Sequence, residues 1–342
     1  MKKKSLIFII VMLVVLLLHF YLGIKINNYF GVNMVLLMTL SGLIYPFAIL
    51  LDSFRPEKHT WIYWLSASYF GIVCFLSSNI LLLDFIGLLM GRDFTLIGFY
   101  LGIFLASVGF ITGNLVFVRK KKLKLGKKFK FVHFSDVHLG TVHGKLRLKY
   151  LVSLINRQKP DFVFLTGDLI DGSGKVTKKT LRVLNKIKAP LYFVLGNHES
   201  YFGKQKVMNL LKGSKVNVLR NKLVDLKDFY LIGLDNPEDE VTQTLPELDK
   251  MDVPKDKPSI LLLHTPTGIK SIKKSNVDLV LSGHTHSGQI FPFGLLVKLT
   301  YRYLYGLYNL GNNWIHVSSG CGTWGPPIRI GTINEIVLFE VN

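Results

Sequence analysis

Apolar and polar positions divide this chain into two unlike parts. Residues 1–118 are almost unbroken apolar sequence, whereas residues 131–342 alternate short apolar runs with polar turns. In the first part, runs at about 5–22, 33–51, 61–83 and 95–118 predict four membrane-spanning helices, each near the ~20 residues that a bilayer requires. Lys2-Lys3-Lys4 ahead of the first run would also suit a signal peptide. However, the run continues through His19-Phe20-Tyr21-Leu22 with no small-residue cleavage site, so an uncleaved span is expected. Asp52, Arg55, Glu57 and Lys58 mark one loop, and Asp84, Arg92 and Asp93 another. The tract 85–90 is too short to cross on its own.

The second part changes period. Residues 130–134, 161–165, 191–195, 259–263 and 277–282 read as buried strands, with closing strands near 314–318 and 335–341. Between the first of these, Leu148, Leu151, Leu154 and Ile155 have helical spacing, as do Leu181, Leu184 and Ile187. Strands alternating with helices predict an α/β domain. Its length is ample for one full core.

Chemistry-bearing residues gather where these strands end. Asp136, His138, Asp168, Asn197, His198, His264, His284 and His286 lie at the carboxyl ends of five expected strands or just beyond. In α/β sheets that edge forms the ligand crevice. His284 and His286 are two residues apart between Gly283 and Gly288, so both imidazoles can face one point. Two imidazoles suit a transition metal but do not complete its shell, and the other strand ends supply candidates for the rest.

Charge and cysteine usage narrow the picture. The formal charge is +20, and eight of the twelve residues at 119–130 are basic. Nucleic-acid binding is the ordinary reading of so basic a chain. Beside membrane spans, however, a polybasic linker is better explained by orientation and anionic lipid. Four spans would place Lys2, Lys3, Lys4, Arg55, Lys58 and the basic run on one side, thirteen cations against Lys25 and Arg92 on the other. That bias puts the second part in the cytoplasm. Cys74 and Cys321 lie in different parts and imply no disulfide framework.

The succession Asp136-x-His138, Gly167-Asp168-x-x-Asp171, Gly196-Asn197-His198-Glu199, His264 and Gly283-His284-x-His286 resembles the calcineurin-like metallophosphoesterase superfamily. The closing Gly320-Cys321-Gly322-Thr323-Trp324-Gly325-Pro326-Pro327-Ile328-Arg329 resembles its membrane-associated bacterial branch, which is similar to phosphodiesterases and to pyrophosphatases acting on lipid-linked sugar nucleotides. The resemblance implies a two-sheet β-sandwich flanked by helices, over residues 131–342. It also implies two divalent ions, of Mn, Fe, Zn or Ni. Asp136, His138 and His286 would hold one, Asn197, His264 and His284 the other, with Asp168 between them. A hydroxide activated by the metals would attack phosphorus while His198 protonates the leaving group. Asp171 and Glu199 fit the orientation of ligand histidines; Arg329, apart from the resemblance, reads either as a contact for a substrate phosphate or as an ordinary surface arginine near a terminal strand. His133 reads as structural, and His143 and His316 have no motif. The expected activity is hydrolysis of a phosphodiester or pyrophosphate, with a phosphomonoesterase or protein phosphatase, or a non-catalytic membrane scaffold or sensor, as alternatives. No protein partner is implied.

One stretch stands apart. Residues 290–308 are apolar and aromatic, interrupted by Lys298 and Arg302, and begin four residues after His286. Such a mixture fits a core hairpin or helix. It also fits a membrane-facing lip that admits a lipid-linked substrate.

Overall fold

A computed structural model describes residues 2–54 and 60–342, with side chains from residue 12 onward except 53 and 60. Arg55, Glu57 and Lys58 lie outside the described residues. Two compact units are distinguished, Met1–Ile111 with Gly325–Ile328, and Thr112–Trp324 with Arg329–Asn342.

The first unit is helical: α1 (Lys2–Phe30), α2 (Val35–Ser41), α3 (Ile44–Phe54), α4 (Thr60–Met90) and α5 (Thr95–Asn114), the last ending in the second unit. Among the described residues, four stretches are long and apolar enough to cross a membrane: Met12–Phe30, Val35–Asp52, Trp61–Met90 and Thr95–Asn114. Three boundaries differ from expectation. The second stretch is divided by a turn between α2 and α3. The tract 85–90 continues α4, so Asp84 lies inside a helix and pairs with Lys25 of α1. The fourth ends at Asn114, because the chain then turns into a strand. Close helix approach depends on small residues; a Cβ on Gly102 would stand 2.9 Å from the Leu76 Cα.

The second unit continues with β1 (Val116–Leu123), β2 (Phe129–Phe134), α6 (Lys145–Arg157), β3 (Phe162–Thr166), α7 (Lys178–Leu181), β4 (Leu191–Val194), α8 (Asn197–Phe202), α9 (Lys204–Leu211), β5 (Val216–Val218), β6 (Lys222–Leu226) and β7 (Phe229–Gly233). It closes with α10 (Pro246–Asp249), β8 (Ser259–Leu262), α11 (Ile269–Lys274), β9 (Leu279–Ser282), α12 (Phe293–Thr300), β10 (Gly306–Asn309), β11 (Trp314–Val317) and β12 (Asn334–Val341). Two six-stranded sheets result, in the orders β1-β12-β2-β3-β4-β5 and β10-β11-β9-β8-β7-β6. Both are mixed. In the first, β2 to β5 run parallel and β12 antiparallel to β2; in the second, β7, β8, β9 and β11 run parallel with antiparallel strands at the edges.

Alternation along the strands builds the layers. Phe131 and Phe164 face the partner sheet, while Val132, Val163 and Leu165 face the helices. The core between the sheets is aromatic, with Phe129 stacked on Phe229 at 4.6 Å and Phe131 on Phe339 at 4.8 Å. Leu148, Leu151, Val152 and Ile155 of α6 cover the outer face of the first sheet. This is the two-sheet sandwich flanked by helices that the resemblance implied.

Two segments depart from the reading of the sequence. The basic run is not a linker, because Val116–Leu123 pairs with all of β12, Val116 opposite Asn334 and Leu123 opposite Val341. As an edge strand β1 can leave Arg119, Lys120 and Lys122 in solvent, a common guard against edge pairing. Residues 290–308 divide in two. Helix α12 has no buried residue, whereas Tyr303 is buried and β10 closes the second sheet.

Candidate metal centre

The parallel strands of both sheets stop at one edge, and the turns that leave them carry the functional side chains. These turns are conformationally costly. Of the nine non-glycine residues with positive φ among the described residues, five are Asp136, His138, Asp168, His284 and His286. Left-handed backbone at aspartate and histidine costs of order 1–3 kcal/mol each and persists where the surroundings impose it. Glycines make room for it. A Cβ on Gly196 would lie 2.2 Å from Asp168 Oδ1, and one on Gly283 2.3 Å from Asp136 Oδ2.

The buried side chains converge in two adjacent groups. Asp136, His138 and His286 bring one ligand atom each within 4.8 Å of one another, and Asp168, His264 and His284 do the same. In the first, His138 Nε2 is 3.0 Å from His286 Nε2, which is 3.6 Å from Asp136 Oδ1. In the second, His264 Nε2 is 2.9 Å from Asn197 Oδ1 and 3.1 Å from Asp168 Oδ2. His284 Nδ1 lies 3.2 Å from the same Asn197 oxygen. Asp168 Oδ2 also lies 3.8 Å from His138 Nε2, so one carboxylate oxygen reaches both groups. All seven expected ligand residues are thus together. The two histidines of the His-x-His pair do not face one point, however; the left-handed turn sends His286 to one group and His284 to the other.

Hydrogen bonding fixes which ring atoms face inward. His264 Nδ1 donates to the Thr166 carbonyl at 2.8 Å, so a neutral ring presents the Nε2 lone pair. That lone pair faces an amide oxygen, a carboxylate oxygen and another ring nitrogen, an arrangement that repels itself unless a cation sits among the atoms. His138 is oriented the same way, its Nδ1 bonded to Asp171 Oδ1 at 3.2 Å and its Nε2 turned inward. The demand for positive charge also appears in titration. Burial opposes charge on His264, yet the charge and hydrogen bond of Asp168, together with Asp136, raise its pKa to about 10. Burial and the neighbouring His264 push His284 down to about 3. A donor set of nitrogens and oxygens with two carboxylates fits a pair of divalent transition ions.

Neighbouring residues divide the remaining work. Asp171 orients His138, as expected. Glu199 does not touch a histidine; it accepts hydrogen bonds from the backbone N–H groups of Asp168, Ile170 and Gly196 at 2.7–2.9 Å, tying the turns after β3 and β4 together. His198 is the second residue of α8, beside the site. Its backbone N–H donates to Asp168 Oδ1 at 3.0 Å and its Nδ1 bonds the Asp171 carbonyl at 2.7 Å. The third potential chelating group, His138, Asp171 and His198, shares His138 and belongs to the same centre.

Arg329 is not a surface arginine awaiting a phosphate. It is fully buried, donates to the carbonyls of His286, Ser319, Gly322 and Ile333 at 2.6–3.1 Å, and meets His286 Nδ1 at 3.1 Å. His133 is buried between Thr166 and His316, which accounts for both histidines as core residues. His143 bonds Thr323. Two residues escaped the sequence reading: His284 Nε2 meets the Tyr301 hydroxyl at 2.9 Å and Glu240 Oε2 at 3.5 Å. Tyr301 follows α12 and Glu240 sits in an irregular loop, and neither belongs to a motif that would have marked it.

Residues 129–288 match the model of a family described as calcineurin-like phosphoesterase. The chain is 38% identical over 297 residues to an uncharacterized metallophosphoesterase of Helicobacter pylori, spanning 82% of this chain and 78% of that protein. It is 34% identical over 233 residues to an uncharacterized metallophosphoesterase of Aquifex aeolicus, spanning 66% of this chain and 89% of that protein. A transmembrane protein with metallophosphoesterase domain from Bos taurus is 32% identical over 232 residues, spanning 60% of this chain and 51% of that protein.

Proposed function

This chain belongs to the calcineurin-like phosphoesterase family, and from that premise we propose that it hydrolyses a phosphodiester or pyrophosphate bond of a lipid-linked substrate. Asp136, His138 and His286 would hold one divalent ion, and Asn197, His264 and His284 a second, with Asp168 shared. When bound, two such ions supply the positive charge that activates water and polarises a phosphoryl oxygen. The observation that carries this reading is the single Asp168 oxygen within 3.1 Å of His264 Nε2 and 3.8 Å of His138 Nε2. Two carboxylates among seven donors leave the centre electropositive, which attracts an anionic phosphoryl group.

The chain's own residues set the geometry. Asp171 holds His138 with Nε2 inward, Tyr301 and Glu240 hold His284 by its outer nitrogen, and Glu199 fixes the turn bearing Asp168. His198 would give its proton to the leaving oxygen. The identity of the ions, Mn, Fe, Zn or Ni, follows from loading, because mixed nitrogen and oxygen ligation accepts all four. The domain would work in the cytoplasm, on the inner face of the membrane that carries the four helices. The basic strand would then serve anionic lipid rather than nucleic acid.

The test uses detergent-purified, Mn²⁺-loaded protein with bis(para-nitrophenyl) phosphate and para-nitrophenyl phosphate, alongside metal analysis. Two ions per chain and preferential diester turnover are expected. Asp168→Asn should lose more metal and more turnover than Asp136→Asn, since Asp168 would serve both ions and Asp136 one. Two retained ions with full turnover in Asp168→Asn would overturn the shared role. Preferential monoester turnover would make the protein a phosphomonoesterase.

A further inference from the structure

Helix α12 is unlike any other element of the α/β unit. Phe293, Leu295, Leu296 and Leu299 are 56–84% exposed, and Phe291 just ahead of the helix is 66% exposed. Trp324, 61% exposed, is held beside this stretch by paired hydrogen bonds with Gln289, both 2.9 Å. An apolar patch of this kind marks an interaction surface. Its place in the fold is also particular. The residue that follows α12, Tyr301, reaches His284 in the metal centre with its hydroxyl, and the helix begins seven residues after His286. The patch therefore forms the rim of the candidate site.

Three observations within this unit point to a bilayer as the occupant. First, the end of α5 is fastened to the α/β fold. The Asn334 amide donates to the carbonyls of Thr112, Gly113 and Leu115 at 2.8–3.1 Å, and Arg147 donates to both Asn114 and Cys321. A single residue separates α5 from β1, so the chain enters the α/β fold at this edge directly from an apolar helix. Second, the segment after α12 returns to the same edge. Tyr305 donates to Glu335, the neighbour of Asn334 on β12, at 3.0 Å, and interacts with Arg119 of β1. Third, exposed cations accompany the apolar surface, Lys298 on α12 and Arg302 just after it. Apolar side chains with tryptophan and peripheral cations are what an interfacial helix needs to enter the acyl boundary beneath anionic headgroups.

We propose that α12, with Phe291 and Trp324, is a lip that docks into the surface of the membrane carrying the chain's own apolar helices, and so holds the metal centre at headgroup depth. The docking surface stands on the exposure and connectivity above; its use for presenting a lipid-linked phosphoester rests on the proposed function.

The experiment uses the full-length chain in nanodiscs containing phosphatidylglycerol and phosphatidylcholine. An environment-sensitive fluorophore is placed by Leu296→Cys in a Cys74→Ser background, Cys321 being buried. Quenching by acyl-brominated lipid, with protection from aqueous iodide, is the expected result. Quenching by iodide and not by bromolipid would overturn the proposal. Protection from both would also overturn it, and would assign the patch to a second copy of the chain. A combined Leu295→Ser, Leu296→Ser and Leu299→Ser variant should lower the ratio of hexadecyl para-nitrophenyl phosphate to bis(para-nitrophenyl) phosphate turnover by about tenfold. An unchanged ratio would overturn presentation by the lip. Absence of turnover of either ester by the unaltered protein would count against the proposed function, while the fluorescence would still decide docking.

Discussion

The Nδ1 of His198 is committed to the Asp171 carbonyl at 2.7 Å, so this ring can release a proton only from Nε2, and only as the imidazolium. His198→Ala should therefore keep both metals and lose about 10²–10⁴ in rate on esters with alkyl leaving groups. A nitrophenyl diester, whose leaving group needs little protonation, should lose far less. Equal losses on both would make His198 a positioning residue. A second histidine tests burial. His133 is fully buried, and desolvation lowers its pKa to about 3, below the ordinary ~6.5 of an unfolded chain. A depressed folded value means stability that is complete above pH ~6.5 and lost as pH falls toward 3. At pH 5 the loss from this group is about 2 kcal/mol. His133→Gln should accordingly show a smaller drop in thermal midpoint between pH 7.5 and pH 5 than the unaltered protein; an equal drop would refute the assignment. At this scale the sequence was informative wherever a residue followed a strand. The partners of the ligands were less legible, because Glu240, Tyr301 and Arg329 reach the site only through tertiary contact.

Strands written as short, doubly buried apolar runs were legible, and five of them ended in the chemistry-bearing residues. Strands β5, β6 and β7 went unread, and two further segments were misread. The lysines of β1 hide a strand whose partner, β12, is the last in the chain. In 290–308 an aromatic run has the same composition whether covered or exposed. Small residues at the strand ends carry a further prediction. Gly196 has φ −95°, so alanine there brings no left-handed strain and reports the steric conflict alone. Its Cβ would stand 2.2 Å from Asp168 Oδ1, and something must shift. Gly196→Ala should lower metal content and cut turnover by around 10²-fold, the scale of a ~1 Å misplacement of reacting groups. Gly144→Ala is the matched control, with φ −102° and nothing within 4 Å of the added carbon. Equal turnover in the two variants would show that the loop after β4 yields without disturbing the centre.

At the scale of the molecule, four apolar stretches among the described residues are long enough to cross, and four crossings would return the chain to the side where it began. Lys2, Lys3, Lys4, Arg55, Lys58 and the eight cations of residues 119–130 would share that side, against Lys25 and Arg92 opposite. The finding that part of the basic run is a strand does not weaken this count. β1 pairs only with β12, so Arg119–Lys122 cannot enter the sheet until the C-terminus has been made. During insertion they are unpaired cations within ten residues of Asn114, inside the window where basic residues set orientation. Lys25, by contrast, is matched by Asp84, which reduces what little opposes the bias. A fluorescent reporter fused after Asn342 should therefore be bright in the cytoplasm, and a periplasm-dependent phosphatase reporter at the same position should be inactive. In intact cells, protease added outside should leave the α/β domain whole. Digestion of that domain would mean that one apolar helix does not cross, and would place both the metal centre and its lipid-facing lip on the outer leaflet.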